Sequence, residues 1–267
     1  MSANRRLTAF TRLGFAARGL LYIAIAMLVL QSGRSEDPSG ALVELGEQGG
    51  GLLLLAMSAG FVAYGIWRLS DAALNLEGHQ AGARGVGGRL AAAGSGAVYL
   101  AFAWQALRLA GGGHGDASDR AEESARTALS LPGGPLLLQL AGAFLIGAGI
   151  YQLVKAYRCS FCERLDPAVA NHAFVRWAGR AGYAARGLIF IVSGFFLASA
   201  GLNSQASEAG GMEEALRWLG SPVNLAVAAG LLLFGLFSLV EAGFRMIHDV
   251  PLDQVADAVR PDRLARR

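Results

Sequence analysis

Six long runs of apolar residues divide this chain, at about 14–31, 50–69, 90–107, 136–154, 181–202 and 223–240. Each approaches the roughly 20 residues that a helix needs to cross a hydrocarbon core. None alternates polar and apolar positions with a period of two, which argues against strands. In lipid a helix satisfies its backbone polar groups within its own segment. The pattern therefore predicts an all-α integral membrane protein with six transmembrane helices. Before each even-numbered span lies a shorter amphipathic stretch, at 41–45, 125–131 and 212–219, closed by Gly49/Gly50, Pro132/Gly133 and Pro222. These predict short interfacial helices, with Trp218 and the leucines on the apolar side.

The polar interruptions recur. Arg12, Gly14, Phe15, Ala16, Ala17, Arg18, Gly19 and Leu20 return 168 residues later as Arg180, Gly182, Tyr183, Ala184, Ala185, Arg186, Gly187 and Leu188. A weaker middle copy places Arg89, Gly96 and Tyr99 against Arg12, Gly19 and Tyr22, with Ser95 at the position of the inner arginine. The even-numbered spans repeat too, through Gly65, Gly149 and Gly235 and through Ala72, Ala156 and Ala242. The unit is a helix hairpin used three times in parallel, and a pseudo-threefold arrangement follows. The repeats cover 12–72, 89–156 and 180–242 of a single membrane domain, 1–267. A cytoplasmic tail helix is expected over 246–267, with Leu252, Val255, Ala256 and Val259 on one face. The first run follows Arg5, Arg6 and Arg12 as a signal peptide's would. Its motif returns at Arg180, where no cleavage applies, so it is read as a retained helix.

Only 16% of the residues are charged, against roughly 25% in a soluble domain. Of the 23 lysines and arginines, 18 fall on the side of the termini and five on the other. Short loops with that bias predict N- and C-termini in the cytoplasm of a bacterial inner membrane, facing its anionic leaflet. The sequence pI of 9.1 reflects this topology. No soluble basic domain exists to bind nucleic acid.

The Ala17-Arg18-Gly19 signature with Tyr22, and Ala185-Arg186-Gly187 with Phe190, resemble the bacterial family of domains of unknown function numbered 1206. The middle copy departs from it at Gly94-Ser95-Gly96. The resemblance covers about 12–245 and implies a bacterial membrane protein built from three tandem two-helix units. It supplies no catalytic residue.

Ionisable residues inside spans are expensive and need partners. Asp71, Lys155 and Glu241 occupy equivalent positions near the inner ends of the second helices. Arg18 is expected to pair with Asp71, and Arg186 with Glu241. Ser95 and Lys155 replace arginine and acid together in the middle copy, as a contact within the hairpin would require. Two readings remain open. The charges clamp each hairpin or snorkel to lipid phosphates, or Arg18, Asp71, Lys155, Arg186 and Glu241 converge on a polar vestibule. Tyr22 and Phe190, one turn beyond the arginines, offer cation–π contacts. Gly19, Gly96, Gly187, Gly65, Gly149 and Gly235 are expected to let helices approach closely, together with Gly60, Gly230 and a Gly142/Gly147 pair.

Cys159 and Cys162 form a CxxC with His172 as the nearest further ligand, an incomplete metal or redox site. His79, His114 and His248 are isolated. No nucleotide loop or hydrolase motif is present. No cofactor or metal is expected. The reading is a non-enzymatic membrane-organising protein that binds lipid, protein partners or a second copy of itself. The alternative is a transporter or channel with a cytoplasmic vestibule, and a CxxC redox or metal protein ranks last.

Overall fold

The computed structural model describes residues 3–32, 37–75, 82–113 and 120–246. In chain order the helices are α1 (Ala3–Ser32), α2 (Pro38–Leu74), α3 (Ala83–Ala110), α4 (Arg120–Leu129), α5 (Gly134–Arg158), α6 (Pro167–Ala170), α7 (Ala173–Asn203), α8 (Met212–Leu219) and α9 (Val223–Phe244). Among the described residues, six of these, α1, α2, α3, α5, α7 and α9, are long and apolar enough to span a bilayer. Beyond Met246 the expected tail helix lies outside the described residues, as do His79, His114 and His248.

The three amphipathic stretches are helical. The first is the start of α2, which breaks at Gly50 with φ +68° and ψ −179°. That backbone conformation favours glycine. Gly133 (φ 78°) and Gly220 (φ 64°) make the corresponding turns before α5 and α9. The apolar faces of the short helices are covered by the bundle: Ala41, Leu42, Ala125, Ala215 and Leu216 are buried, whereas Trp218 points outward.

Around the bundle the spans follow the order α1, α2, α3, α5, α7, α9 and back to α1. The seams between repeats (α2 with α3, α5 with α7, α9 with α1) are tight, and a pair of glycines crosses at each. A Cβ at Gly149 would lie 2.6 Å from the carbonyl oxygen of Gly187; at Gly235 it would lie 2.8 Å from that of Gly19, and at Gly65 3.1 Å from that of Gly96. All six expected packing glycines therefore stand where neighbouring repeats touch. Gly142, Gly194 and Gly201 extend the α5–α7 seam. Gly147 does not share in it and faces open space, because Gly149 takes the contact one half-turn on.

Contacts inside the hairpins are less uniform. In repeat one, Gly14 packs on Tyr64 and Gly60 on Ala17; in repeat three, Gly182 packs on Phe234 and Gly230 on Ala185. Repeat two carries Ala91 and Phe144 at these positions. Phe144 wedges its ring 3.5 Å from where a Gly94 Cβ would sit, and α3 and α5 meet only lightly. The ring of six helices thus has one loose seam.

Gly149→Val should lower stability by about 1–3 kcal/mol, the usual result of overpacking a close contact. Gly147→Ala should be neutral within about 0.5 kcal/mol. Thermal unfolding midpoints in detergent check the pair, and equal effects would contradict the seam.

Candidate functional site

Arg18 is a buried charge with an acceptor for each of its nitrogens. It lies on α1, only 3% exposed, between α2 of its own repeat and α9 of repeat three. Its Nη1 donates to Tyr64 Oη at 2.7 Å, its Nη2 to Glu241 Oε2 at 2.5 Å and its Nε to Ser238 Oγ at 3.2 Å. Ser238 in turn donates to the Phe234 carbonyl one turn back at 2.8 Å. The guanidinium carbon stands 4.6 Å from the Phe15 ring centroid and 5.0 Å from that of Phe234. The second oxygen of Glu241 accepts from Arg245 at 2.5 Å. Each nitrogen of this cation has an acceptor, in a setting only 3% exposed. That is the condition under which a buried ion pair is tolerated.

The expected partners are corrected here. Arg18 pairs with Glu241 rather than Asp71. Arg186 makes no ion pair with Glu241, whose oxygens serve Arg18 and Arg245. The physical reason is the seam. The first helix of one repeat packs most tightly on the second helix of its neighbour, so partners come from different copies. Repeat register then aligns three facing positions. Arg18 meets Glu241 across the first seam; by repeat register Ser95 and Asp71 hold the equivalent positions at the second, and Arg186 and Lys155 at the third. Ser95 and Lys155, both in repeat two, therefore belong to different contacts.

Each seam resolves its charges differently. Asp71, fully buried, accepts from Arg68 at 3.4 Å on its own helix. Lys155 donates to Tyr183 Oη at 3.0 Å, with its nitrogen 4.3 Å from that ring's centroid. Arg186 lies against aromatic faces: 4.6 Å from Phe234, 5.0 Å from Phe190 and 5.2 Å from Tyr22. Its Nε is buried with no hydrogen-bond partner among the described residues. Phe234 thus has a guanidinium near it from each of two repeats. Phe190 makes the cation–π contact expected with Arg186 one turn back, whereas Tyr22 lies against Arg186 of the other repeat and not against Arg18, whose guanidinium stands over Phe15, Tyr64 and Phe234. The five sequence candidates are not gathered into one open vestibule, because Arg18 and Glu241 are sealed into a closed network.

At the end where α1, α3 and α7 begin, the segment after α5 folds back over the bundle. A 3₁₀ turn, Ser160–Arg164, inserts Phe161 between Tyr183 (5.2 Å, stacked) and Phe237 (4.9 Å, edge-on). Leu165 bridges to Arg245 as a short antiparallel pair, fixed by Asp166 N–H on the Phe244 carbonyl at 3.0 Å and Met246 N–H on the Arg164 carbonyl at 2.9 Å. Burial, and then the neighbouring Arg245, lower the Arg164 pKa. This strap was not legible in the sequence; the only signal was an aromatic residue inside the CxxC. Tyr64, Ser238 and Arg245 were also missed. Ser238 could have been found one turn before Glu241 on the same helix face.

Cys159 and Cys162 are free thiols on the strap, lining a shallow depression of about 400 Å³ with Glu163 and Arg176. His172 precedes α7 and does not line it. Among the described residues no three His, Cys, Asp or Glu side chains gather as metal ligands would. Burial, then a hydrogen bond with Cys159, pushes the Cys162 thiol up to about 12.

Two predictions follow from this geometry. Arg18→Gln and Glu241→Gln should each lower stability by about 3–5 kcal/mol, as breaking a buried pair does. Their combination should fall short of additivity by about 1–3 kcal/mol. Arg18→Gln with Asp71→Asn should add, so coupling in that second pair would contradict the assigned contact. For the thiol, a pKa of about 12 leaves about one Cys162 in ten thousand ionised at pH 8. Its alkylation by iodoacetamide in the wild-type chain, located by tandem mass spectrometry of the Cys159–Arg164 peptide, should keep rising through pH 10. A plateau near pH 8–9 would contradict the burial argument.

Comparison with known proteins agrees with this architecture. The family model described as Domain of Unknown Function (DUF1206) matches three times, over residues 13–75, 90–158 and 181–245. A Bacillus subtilis (strain 168) protein described as uncharacterized protein YxxB is 32% identical over 245 residues, which span 87% of this chain and 89% of that one. No solved structure matches. With a likeness that takes in all three helix pairs and nearly the full length of a bacterial relative, this chain belongs to the DUF1206 family.

Proposed function

We propose that this chain is a non-enzymatic platform of the bacterial cytoplasmic membrane, holding anionic lipid headgroups and protein partners at its basic end. One observation carries the reading: the junction of α1, α2 and α9 is closed by a buried, paired charge. Arg18 and its partners close the axis at one depth. Leu21, Ile25 and Leu231, further along α1 and α9, are fully buried as well. The strap with Phe161 and Leu165 covers the basic end. A rigid, dry core suits a scaffold, whereas a carrier needs a polar site that opens to one side at a time.

Orientation follows from charge. The end with Arg68, Arg158, Arg164, Arg176 and Arg245 faces the cytoplasm, and the short helices with Glu122, Glu123, Glu213 and Glu214 face outward. At the cytoplasmic end the exposed Arg158 and Arg176 meet anionic lipid at a worth of about 1 kcal/mol per side chain. A transporter or channel is the second reading. It draws on Arg186 and Lys155, which hold at the third seam the positions that Arg18 and Glu241 hold at the first, with neither making an ion pair among the described residues.

Single cysteines in a Cys159→Ser/Cys162→Ser background test both points. Glu213→Cys should react with impermeant maleimide in intact cells, and Glu163→Cys only after permeabilisation; the reverse pattern overturns the orientation. Ala26→Cys and Ser238→Cys should resist water-soluble maleimide from either side. Labelling at either position would favour a transport path and contradict the platform.

A further inference from the structure

We propose that the face shared by Arg186 and Lys155 is a binding site for a phosphate-bearing anion, entered sideways from the bilayer through the loose α3–α5 seam. The occupant assigned is the headgroup of an anionic lipid. The inference deepens the platform reading, resting on it for the cytoplasmic placement of this end.

The argument begins with the broken symmetry of the three seams. At the first seam a carboxylate, Glu241, answers Arg18 at 2.5 Å. At the third, the position equivalent to Glu241 is Lys155, so a second cation stands where the first seam has its carboxylate. Both are only half-buried, unlike Arg18. Lys155 turns aside to Tyr183 Oη, and Arg186 keeps a buried Nε with no hydrogen-bond partner among the described residues. Glu241 is near enough to Lys155 for each to feel the other's charge, but its oxygens are taken by Arg18 and Arg245. A guanidinium inside a span needs a counter-charge. A phosphate supplies acceptor oxygens that suit the guanidinium fork and an ammonium together.

The route is lateral. Phe144 stands where the other repeats have Gly60 and Gly230, and it keeps α3 from closing on α5. Consistent with this, α5 is the least covered span, with 22% of its central window buried against 44% for α9. Lys155 lies in the last turn of α5, at the headgroup level of the basic end, and Arg186 lies deeper on α7. A lipid entering between α3 and α5 would bring its phosphate to Lys155 first, with its chains against the exposed apolar flank of α5.

The test is a thermal-unfolding titration of the full chain in neutral detergent with phosphatidylglycerol, phosphatidylcholine or inorganic phosphate. Phosphatidylglycerol should raise the wild-type midpoint, and the other two should not. Arg186→Gln should raise the half-saturating phosphatidylglycerol concentration about tenfold or more, the loss of one charge-assisted contact. Lys155→Glu rebuilds the carboxylate–guanidinium pair of the first seam. It should unfold at a higher temperature without lipid and lose the lipid response, so the test survives if Arg186→Gln fails to fold. Arg126→Gln, on an exposed short helix, should respond like wild type. Equal shifts with phosphatidylcholine, or a Lys155→Glu protein that responds like wild type, would overturn the site. A matching shift from inorganic phosphate alone would overturn the lipid as occupant. These results are independent of maleimide access to Ala26→Cys and Ser238→Cys, so either reading can fail without the other.

Discussion

A guanidinium held among apolar helices fixes the rest of this structure. Arg18 stays charged in its buried setting because each of its nitrogens finds an acceptor, and those acceptors come from two different helices. Tyr64 belongs to the same repeat, while Ser238 and Glu241 belong to the last one. Satisfying this one side chain therefore joins the beginning of the chain to its end and closes the ring. The penalty for an unmatched buried charge exceeds the worth of most packing contacts, so this junction tolerates little rearrangement. Arg245, beyond α9, reinforces it from outside through the second oxygen of Glu241 and lies against Phe15 and Trp67.

Glycine sets the geometry that makes such a junction reachable. In lipid there is little hydrophobic gain in bringing helices together, and close backbone approach supplies the contact instead. The three glycine crossings place the first helix of each repeat on the second helix of its neighbour. Once that register exists, equivalent positions in different copies face each other, and three outcomes appear: an ion pair, a serine opposite an acid, and two cations. The copies share a backbone plan and have diverged in charge. Repeat two has diverged further, since Phe144 also loosens its own hairpin.

Much of this was legible in the chain. Span number, the short helices with their glycine stops, the threefold repeat and all six seam glycines follow from periodicity and offset, because those signals are local. Pairing was not. Offsets reveal which residues are equivalent but not whether an equivalent pair meets within a hairpin or across a seam. Both arrangements place Arg18 opposite an acid, Asp71 or Glu241. Only the relative tightness of the helix contacts separates them, and that depends on Gly14, Gly60, Phe144 and their counterparts acting together. The strap was hidden for a different reason: Phe161 is buried by tertiary docking onto Tyr183 and Phe237, with no periodic pattern to announce it.

The junction between the first and third repeats is open to direct measurement. Solid-state NMR on the protein in bilayers can read dipolar coupling from guanidinium nitrogens to selectively labelled side-chain carboxylate carbons, with Arg18→Gln to assign the signal. The account predicts strong coupling to glutamate carboxylates that weakens in Arg18→Gln, leaving the share that belongs to Arg245 and to the surface pairs Arg126–Glu122 and Arg217 with Glu213 and Glu214. If the glutamate coupling is unchanged in Arg18→Gln and an aspartate coupling disappears instead, Arg18 is bound to Asp71 and the ring is not closed as described.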